Sequence, residues 1–384
     1  MSPLVFYPGA VHWRVGTSDW RNPLCERWRL PFTLHSITRT NFPSTSPFER
    51  PPNLGVSNHM TSMTENTGIR QRTLASEFTV CGKGIHTGRH VRMTVYPAEP
   101  DIGICFLRSD QPFSHALVLA RWSNVVSAEY STNIANEAGV TVRTVEHLMA
   151  AFRLAGVDNA LVTLDGPEVP AVDGSADPFI RRIEQAGTVE QNAPARTILV
   201  LRPVQVRDGN RFVRLSPSPS PRLIVTIDYP ETALGMQSVS ATWNRTLLTR
   251  EIAPARTFGF ASDHATLMER GHALGADLGN TIVVDGKDIR NLGGLRYEDE
   301  FVRHKMLDAI GDLYLAGWPI QANYEGYKPG HTLNIKLLRK LFEVRSDAWT
   351  LVPPLAPRSG SLPPNLDRRK LKQAIASSHP GLSA

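Results

Sequence analysis

Three side chains on one face of a helix are the strongest chemical feature of this 384-residue sequence. The stretch Phe301–Asp312 has apolar Phe301, Leu307 and Ile310 and no Gly or Pro before Gly311, so it reads as a helix. Residues four apart on a helix stand above one another. His304, Asp308 and Asp312 therefore form a ladder of one imidazole and two carboxylates. Two of them could grip a divalent cation while the third orients a neighbour. A solvated polar face with an i,i+4 ion pair has the same pattern, so the ladder alone does not decide.

A second pair, Glu146 and His147, opens the amphipathic run Val145–Ala155, which stops at Gly156. Thr144 as N-cap would put both in the first turn. Consecutive helical residues point about 100° apart, which suits divided labour: the imidazole on a metal, the carboxylate taking a proton from water. Zinc hydrolases typically use three protein ligands and leave one position open. His304 and Asp308 supply two, and His147 is the best third candidate. Such an ion lowers the pKa of water towards about 7. An amine leaving group also needs an acid. His331, preceded by Gly330, could serve, with Asp312 pairing its ring and holding it protonated. His86 sits in the Gly-rich turn Gly82–Gly88, where little steric cover lets it reach a ligand.

The elements around these residues read as alternating strands and amphipathic helices. Thr73–Cys81 and Val91–Tyr96 suggest a hairpin, and short strands follow over residues 102–128. Asp158–Leu164 is a strand, Asp165–Asp177 a turn-rich rigid connector, and Asp177 a candidate N-cap for the helix Pro178–Ala186. Thr188–Arg196 reads as a linker and domain boundary. Strands recur at Thr197–Val206, Phe212–Leu215 and Leu223–Ile227, then a helix from Asp263 to about Arg270. A Gly-rich inserted block spans His272–Arg296, and a last helix ends near Phe342. The expected plan is residues 1–68 as a disordered or spurious extension, domain I over 69–193, domain II over 194–345 with an inserted hairpin at about 272–296, and a flexible tail over 346–384.

Composition excludes several classes. Hydrophobic residues make up 41% and charged residues 20%, as in globular proteins. No apolar run approaches the roughly 18–20 residues of a spanning helix, so at most peripheral membrane association is expected. Three cysteines are too few and scattered for a disulfide framework or thiolate metal site. The net charge of +6 suits an anionic ligand, but the basic residues form no block of the kind that marks nucleic-acid binders.

Six stretches taken together carry a family resemblance: GKGIHTG (Gly82–Gly88), TVEHLMAA (Thr144–Ala151), DGPEVPAVDGSADPF (Asp165–Phe179), PARTFGF (Pro254–Phe260), EDEFVRHKMLDAIGDL (Glu298–Leu313) and KPGH ending at His331. In this order they resemble the zinc-dependent UDP-3-O-acyl-N-acetylglucosamine deacetylases of lipid A synthesis. The resemblance implies an α+β fold of two similar domains, each a small, mainly antiparallel sheet on a helix pair, with the helices sandwiched between the sheets. It implies one catalytic Zn2+, for which Fe2+ could substitute, on His147, His304 and Asp308. Glu146 matches the base, His331 the acid with Asp312 behind it, and Thr257 an oxyanion donor. Phe258 and Asp263 match sugar-nucleotide contacts, Lys305 a diphosphate contact, and His86 one near the acyl-glucosamine. The block at 272–296 resembles the element that forms the acyl channel. The partner implied is UDP-3-O-acyl-N-acetylglucosamine, acted on by a cytoplasmic monomer. Organelle targeting is the alternative if the extension is a transit peptide. Two other readings are an amidohydrolase for another acylated amine and a silent lipid-binding relative. Phe258, Asp263 and Lys305 speak against the first, and the complete ligand set and base against the second.

Overall fold

Alternating apolar residues build the first sheet: in the strand His90–Pro97, Val91, Met93 and Val95 all turn inward and are buried. The computed structural model describes residues 69–344 and 346–353. The expectations for residues 1–68 and 354–384 lie outside the described residues. Five strands make this sheet: β1 (Phe78–Lys83), β2 (His90–Pro97), β3 (Ile104–Arg108), β4 (Leu117–Leu119) and β5 (Ala160–Leu164). Their order is β1-β2-β5-β3-β4, antiparallel throughout except for the parallel β5–β3 pair. Before β5 comes α1 (Glu146–Ala155), and after it α2 (Asp177–Ala186). Helix α1 ends at Gly156, whose φ of 70° is the left-handed conformation of a C-terminal stop.

The second sheet begins with β6 (Val204–Asp208), β7 (Arg211–Ser216), β8 (Arg222–Tyr229) and β9 (Gly235–Thr242). Helix α3 (Arg245–Glu251) follows, its N-terminus capped by the Asn244 side chain accepting from the Leu247 N–H. Next come β10 (Phe258–Phe260), α4 (His264–Glu269), β11 (Ile282–Asp285) and β12 (Asp288–Ile289), which pair as a separate three-stranded sheet. The hairpin β11–β12 falls inside the block read as an insertion. Then α5 (Glu300–Tyr314), β13 (Asn323–Tyr327) and α6 (His331–Arg339) complete the second half. The sheet order is β6-β7-β13-β8-β9, with β13–β8 the parallel pair. Helices α1 and α5 pack face to face, α2 lies against α1, and α6 against α5. The molecule is thus a mixed α+β fold with helices packed between sheets.

Four local expectations are corrected. The segment Thr188–Pro194 is a strand, not a linker, and pairs antiparallel with Arg70–Leu74. Asn159 fastens it through a hydrogen bond to Gln191, a partnership between distant segments that composition does not reveal. Residues 349–352, read as part of a flexible tail, form the strand Trp349–Val352, which pairs antiparallel with Thr197–Val200. Thr144 is not the N-cap of α1. Val145 holds that position, while Thr144 takes φ 57° and donates its hydroxyl to Glu168 at 2.9 Å. Asp177 lies inside α2, where it pairs with Arg181 at 2.7 Å, and Ala176 precedes the helix. No helix among the described residues is long and apolar enough to cross a membrane.

The α1–α5 contact is close because of Gly311. A methyl group there would lie 1.9 Å from the Glu146 carbonyl oxygen and 3.1 Å from the Ala150 nitrogen. Both are backbone atoms of a packed helix, so neither can swing away. Gly311→Ala is expected to cost about 3 kcal/mol of stability or more through overpacking, read by denaturant unfolding. A loss under about 0.5 kcal/mol would mean the two helices separate freely.

Candidate metal centre and cleft

Helix α1 brings Glu146 and His147 in its first turn against the His304–Asp308–Asp312 face of α5. All five side chains are buried. The Nε2 of His304 lies 3.2 Å, and that of His147 3.5 Å, from Asp308 Oδ1. The two imidazoles meet edge to face, with centroids 4.9 Å apart. His304 Nδ1–H donates to the Ala255 carbonyl at 3.0 Å, which turns the Nε2 lone pair inward. Burial lowers the His304 pKa to about 3, against the pull of Asp308, so the ring is neutral and able to ligate.

Asp308 supplies the test of what belongs here. Its Oδ2 accepts from Lys305 Nζ at 2.8 Å, but its buried Oδ1 has no hydrogen-bond partner. Burial pushes its pKa up, yet His304, Lys305 and His331 outweigh that and hold it well below the usual range. An anionic oxygen, orphaned beside two imidazole nitrogens, is costly unless a cation completes the set. Ligand atoms of His147, His304 and Asp308 lie within 4.8 Å of one another. Two nitrogens and one carboxylate match zinc's ligand preferences, and the residues fit that ion.

Beside the triad stands a pair able to move protons. Burial raises the Glu146 pKa, and its Oε2 accepts the Thr132 N–H at 3.0 Å. His331 Nε2 is 3.8 Å from both Glu146 Oε1 and Asp308 Oδ2, while Nδ1 donates to Asp312 Oδ2 at 2.9 Å. Burial alone would lower the His331 pKa. Asp312, Glu146 and Asp308 reverse this and raise it to about 9. Asp312 also accepts from Thr132 Oγ1 at 2.6 Å and Asn334 Nδ2 at 2.8 Å, and Asn334 in turn accepts from the Tyr324 hydroxyl at 2.7 Å.

These groups open on a cleft, which Thr257, Phe258, Lys305 and His86 also line. Phe258 packs edge-on to Phe301 at 5.1 Å, and Lys305 Nζ sits 5.3 Å from its ring centroid. Burial lowers the His86 pKa to about 4. Asp263 is the exception: it is exposed on the turn Ala261–Asp263 and does not line the cleft. The connector residue Glu168 has an unforeseen task. Fully buried, it accepts from the His86 and Thr87 N–H groups and from both the Thr87 and Thr144 hydroxyls. It thereby fixes the loop that carries His86. The inserted block reaches the same loop, with Leu274 and Gly275 N–H donating to the His86 and Ile85 carbonyls at 3.1 and 3.0 Å. Thr132, Glu168, Asn334 and Tyr324 were given no role in the site from the sequence. Two of them left a signal: Glu168 lies in the DGPEVPAVDGSADPF stretch, and Asn334 stands three residues after His331 on one helical face.

The sequence model of the UDP-3-O-acyl N-acetylglycosamine deacetylases (LpxC) matches residues 71–343. A protein of Acidithiobacillus ferrooxidans described as UDP-3-O-acyl-N-acetylglucosamine deacetylase is 46% identical over 286 residues, 74% of this chain and 93% of the relative. Proteins of the same description from Phenylobacterium zucineum and Methylococcus capsulatus are 43% and 44% identical, over 73% and 74% of this chain and 95% and 93% of theirs.

The purified chain is expected to bind one zinc per molecule. His304→Ala is expected to lower metal affinity by at least about tenfold, measured by competition with a chelating dye. Unchanged affinity would remove His304 from the ligand set.

Proposed function

The chain belongs to the family of UDP-3-O-acyl-N-acetylglycosamine deacetylases, and from that premise we infer how its cleft works. The reaction is zinc-dependent hydrolysis of the acetamide of UDP-3-O-acyl-N-acetylglucosamine, the committed step of lipid A synthesis. It yields the free amine and acetate. One observation carries the reading: the His147–His304–Asp308 set converges beside a buried Glu146–His331 pair in the same cleft.

Those three residues would hold the zinc, which polarises a carbonyl and makes water a stronger nucleophile at neutral pH. Glu146 takes the proton as water oxygen bonds to the acetamide carbon. Its pKa, raised by burial, brings it nearer the working pH of a base. His331, kept protonated by Asp312, delivers a proton to the departing nitrogen as the C–N bond breaks. The Thr257 hydroxyl donates to the developing oxyanion. Its backbone is tied down through its N–H to Gly174 and its carbonyl to Ile282, which supports a fixed donor. Lys305 meets the diphosphate as a point charge, Phe258 and Asp263 contact the sugar-nucleotide, and His86 lies near the acyl-glucosamine. The exposure of Asp263 suits a contact with the outer, nucleotide end.

The same reading extends to organisation. Both five-stranded sheets place their last strand between the second and third, parallel to the third. This supports two similarly built domains, 69–193 and 194–345, the second carrying the insertion at about 272–296. We place the protein in the cytoplasm as a monomer, with at most peripheral membrane contact.

Acetate release from UDP-3-O-(3-hydroxyacyl)-N-acetylglucosamine by metal-stripped protein, before and after one equivalent of zinc, tests the assignment. Release that depends on zinc is expected; none, with metal bound, would sink the substrate assignment. Glu146→Gln is expected to lower kcat about 10²- to 10⁴-fold. The rate should be bell-shaped with pH. Glu146 works deprotonated, so the rate climbs as pH rises through its raised pKa. His331 works protonated, so the rate falls above about 9. A profile flat across that alkaline limb would remove His331 as the acid.

A further inference from the structure

Every polar group of Thr132 is spent on the site, although no motif singled this residue out. It is fully buried beside the short strand Asn133–Ala135. Its N–H donates to Glu146 Oε2 at 3.0 Å and its hydroxyl to Asp312 Oδ1 at 2.6 Å. Its carbonyl accepts the Val145 N–H at 3.2 Å, one residue before α1. We propose that Thr132 is a positioning residue that holds the base Glu146 and the carboxylate behind His331 in fixed relation; the proposal rests on the roles inferred above for those two groups.

A carboxylate has two oxygens, and which one is tied decides which is free. With Oε2 held by Thr132, Glu146 presents Oε1, the oxygen 3.8 Å from His331 Nε2. With Oδ1 held by the Thr132 hydroxyl, Asp312 turns Oδ2 to His331 and Asn334. One residue thus stops both carboxylates from rotating, from opposite ends of the proton path. Thr132 is itself anchored, because Asn133 Oδ1 accepts the Thr144 N–H at 3.1 Å and the Ser131 hydroxyl at 3.2 Å. The strand end is therefore laced to the start of α1. A charge-assisted hydrogen bond in a buried site is among the stronger ones, so the hydroxyl tie is expected to matter more than its single bond suggests.

The threonine and valine side chains have nearly the same shape, so Thr132→Val removes the hydroxyl tie and leaves the amide tie to Glu146. The test uses the full-length, zinc-loaded enzyme as wild type, Thr132→Val and Thr132→Ser. Four quantities are followed: acetate release from UDP-3-O-acyl-N-acetylglucosamine, zinc content, thermal midpoint, and the proton resonance of the His331 Nδ1–H, assigned with His331→Gln. Thr132→Val is expected to lose about 10- to 100-fold in kcat, with KM within about twofold and zinc content unchanged. The Nδ1 proton is expected to shift upfield. Thr132→Ser, which restores a donor, is expected to recover both rate and resonance. A Val variant with wild-type kcat and an unmoved resonance would overturn the proposal. So would a loss that Ser fails to restore while the thermal midpoint falls in both variants, since that pattern belongs to packing alone. Should the wild type release no acetate, the substrate reading fails, and the Nδ1 resonance still decides what Thr132 does.

Discussion

The contact between the first turn of α1 and the middle of α5 is the constraint from which the rest follows. No single segment holds enough ligands for a metal site. His147 comes from one helix, and His304 and Asp308 from the other. They can meet only if two backbones approach closely, and Gly311 permits this by having no side chain to set against the Glu146 carbonyl. Sheets on either side pin each helix in turn. The buried faces of Leu148 and Phe152 on α1, and of Phe301 and Leu307 on α5, belong to one continuous apolar core. Removing that area from water supplies the driving force that a polar site cannot supply for itself.

Within that frame, electrostatics sorts chemically similar groups into different roles. His304 and His331 are both buried imidazoles, yet one is pushed to about 3 and the other to about 9. The neighbours account for the difference. His304 gives its Nδ1–H to a neutral carbonyl and faces one carboxylate shared with Lys305. His331 gives its Nδ1–H to Asp312 and feels Glu146 and Asp308 as well. Asp308 and Glu146 divide in the same way: one is held ionised by cations around it, and the other is drawn upward by burial. Environments that push like groups apart are how one cleft keeps both an acid and a base near neutral pH.

Much of the centre was legible in the sequence because helical periodicity converts spacing into adjacency. The i,i+4 ladder on α5 and the Glu-His pair on α1 needed only that rule, and the structure brings them together. Long-range partnerships were not legible. Thr132 lies 180 residues from the Asp312 it bonds, and Glu168 about half that distance from the loop it fixes. Thr144 looked like an N-cap because threonine commonly is one, but its hydroxyl is claimed by Glu168. The strand Thr188–Pro194 passed for a linker because its side chains are mostly polar and its partner is the strand Arg70–Leu74. Local pattern reports what a segment prefers, and tertiary partners decide what it does.

The parallel pairing of β5 with β3, and of β13 with β8, fixes when the site can exist. In each sheet the central strand joins last in chain order, behind its helix, so the first half can close its sheet while α5 is still unsynthesised. During that interval α1 displays the polar end of its first turn with nothing opposite it. The three ligands can come together only once the contact between α1 and α5 has formed. A nascent chain arrested before α5 would hold one imidazole of the three ligands, too few to compete for a scarce ion.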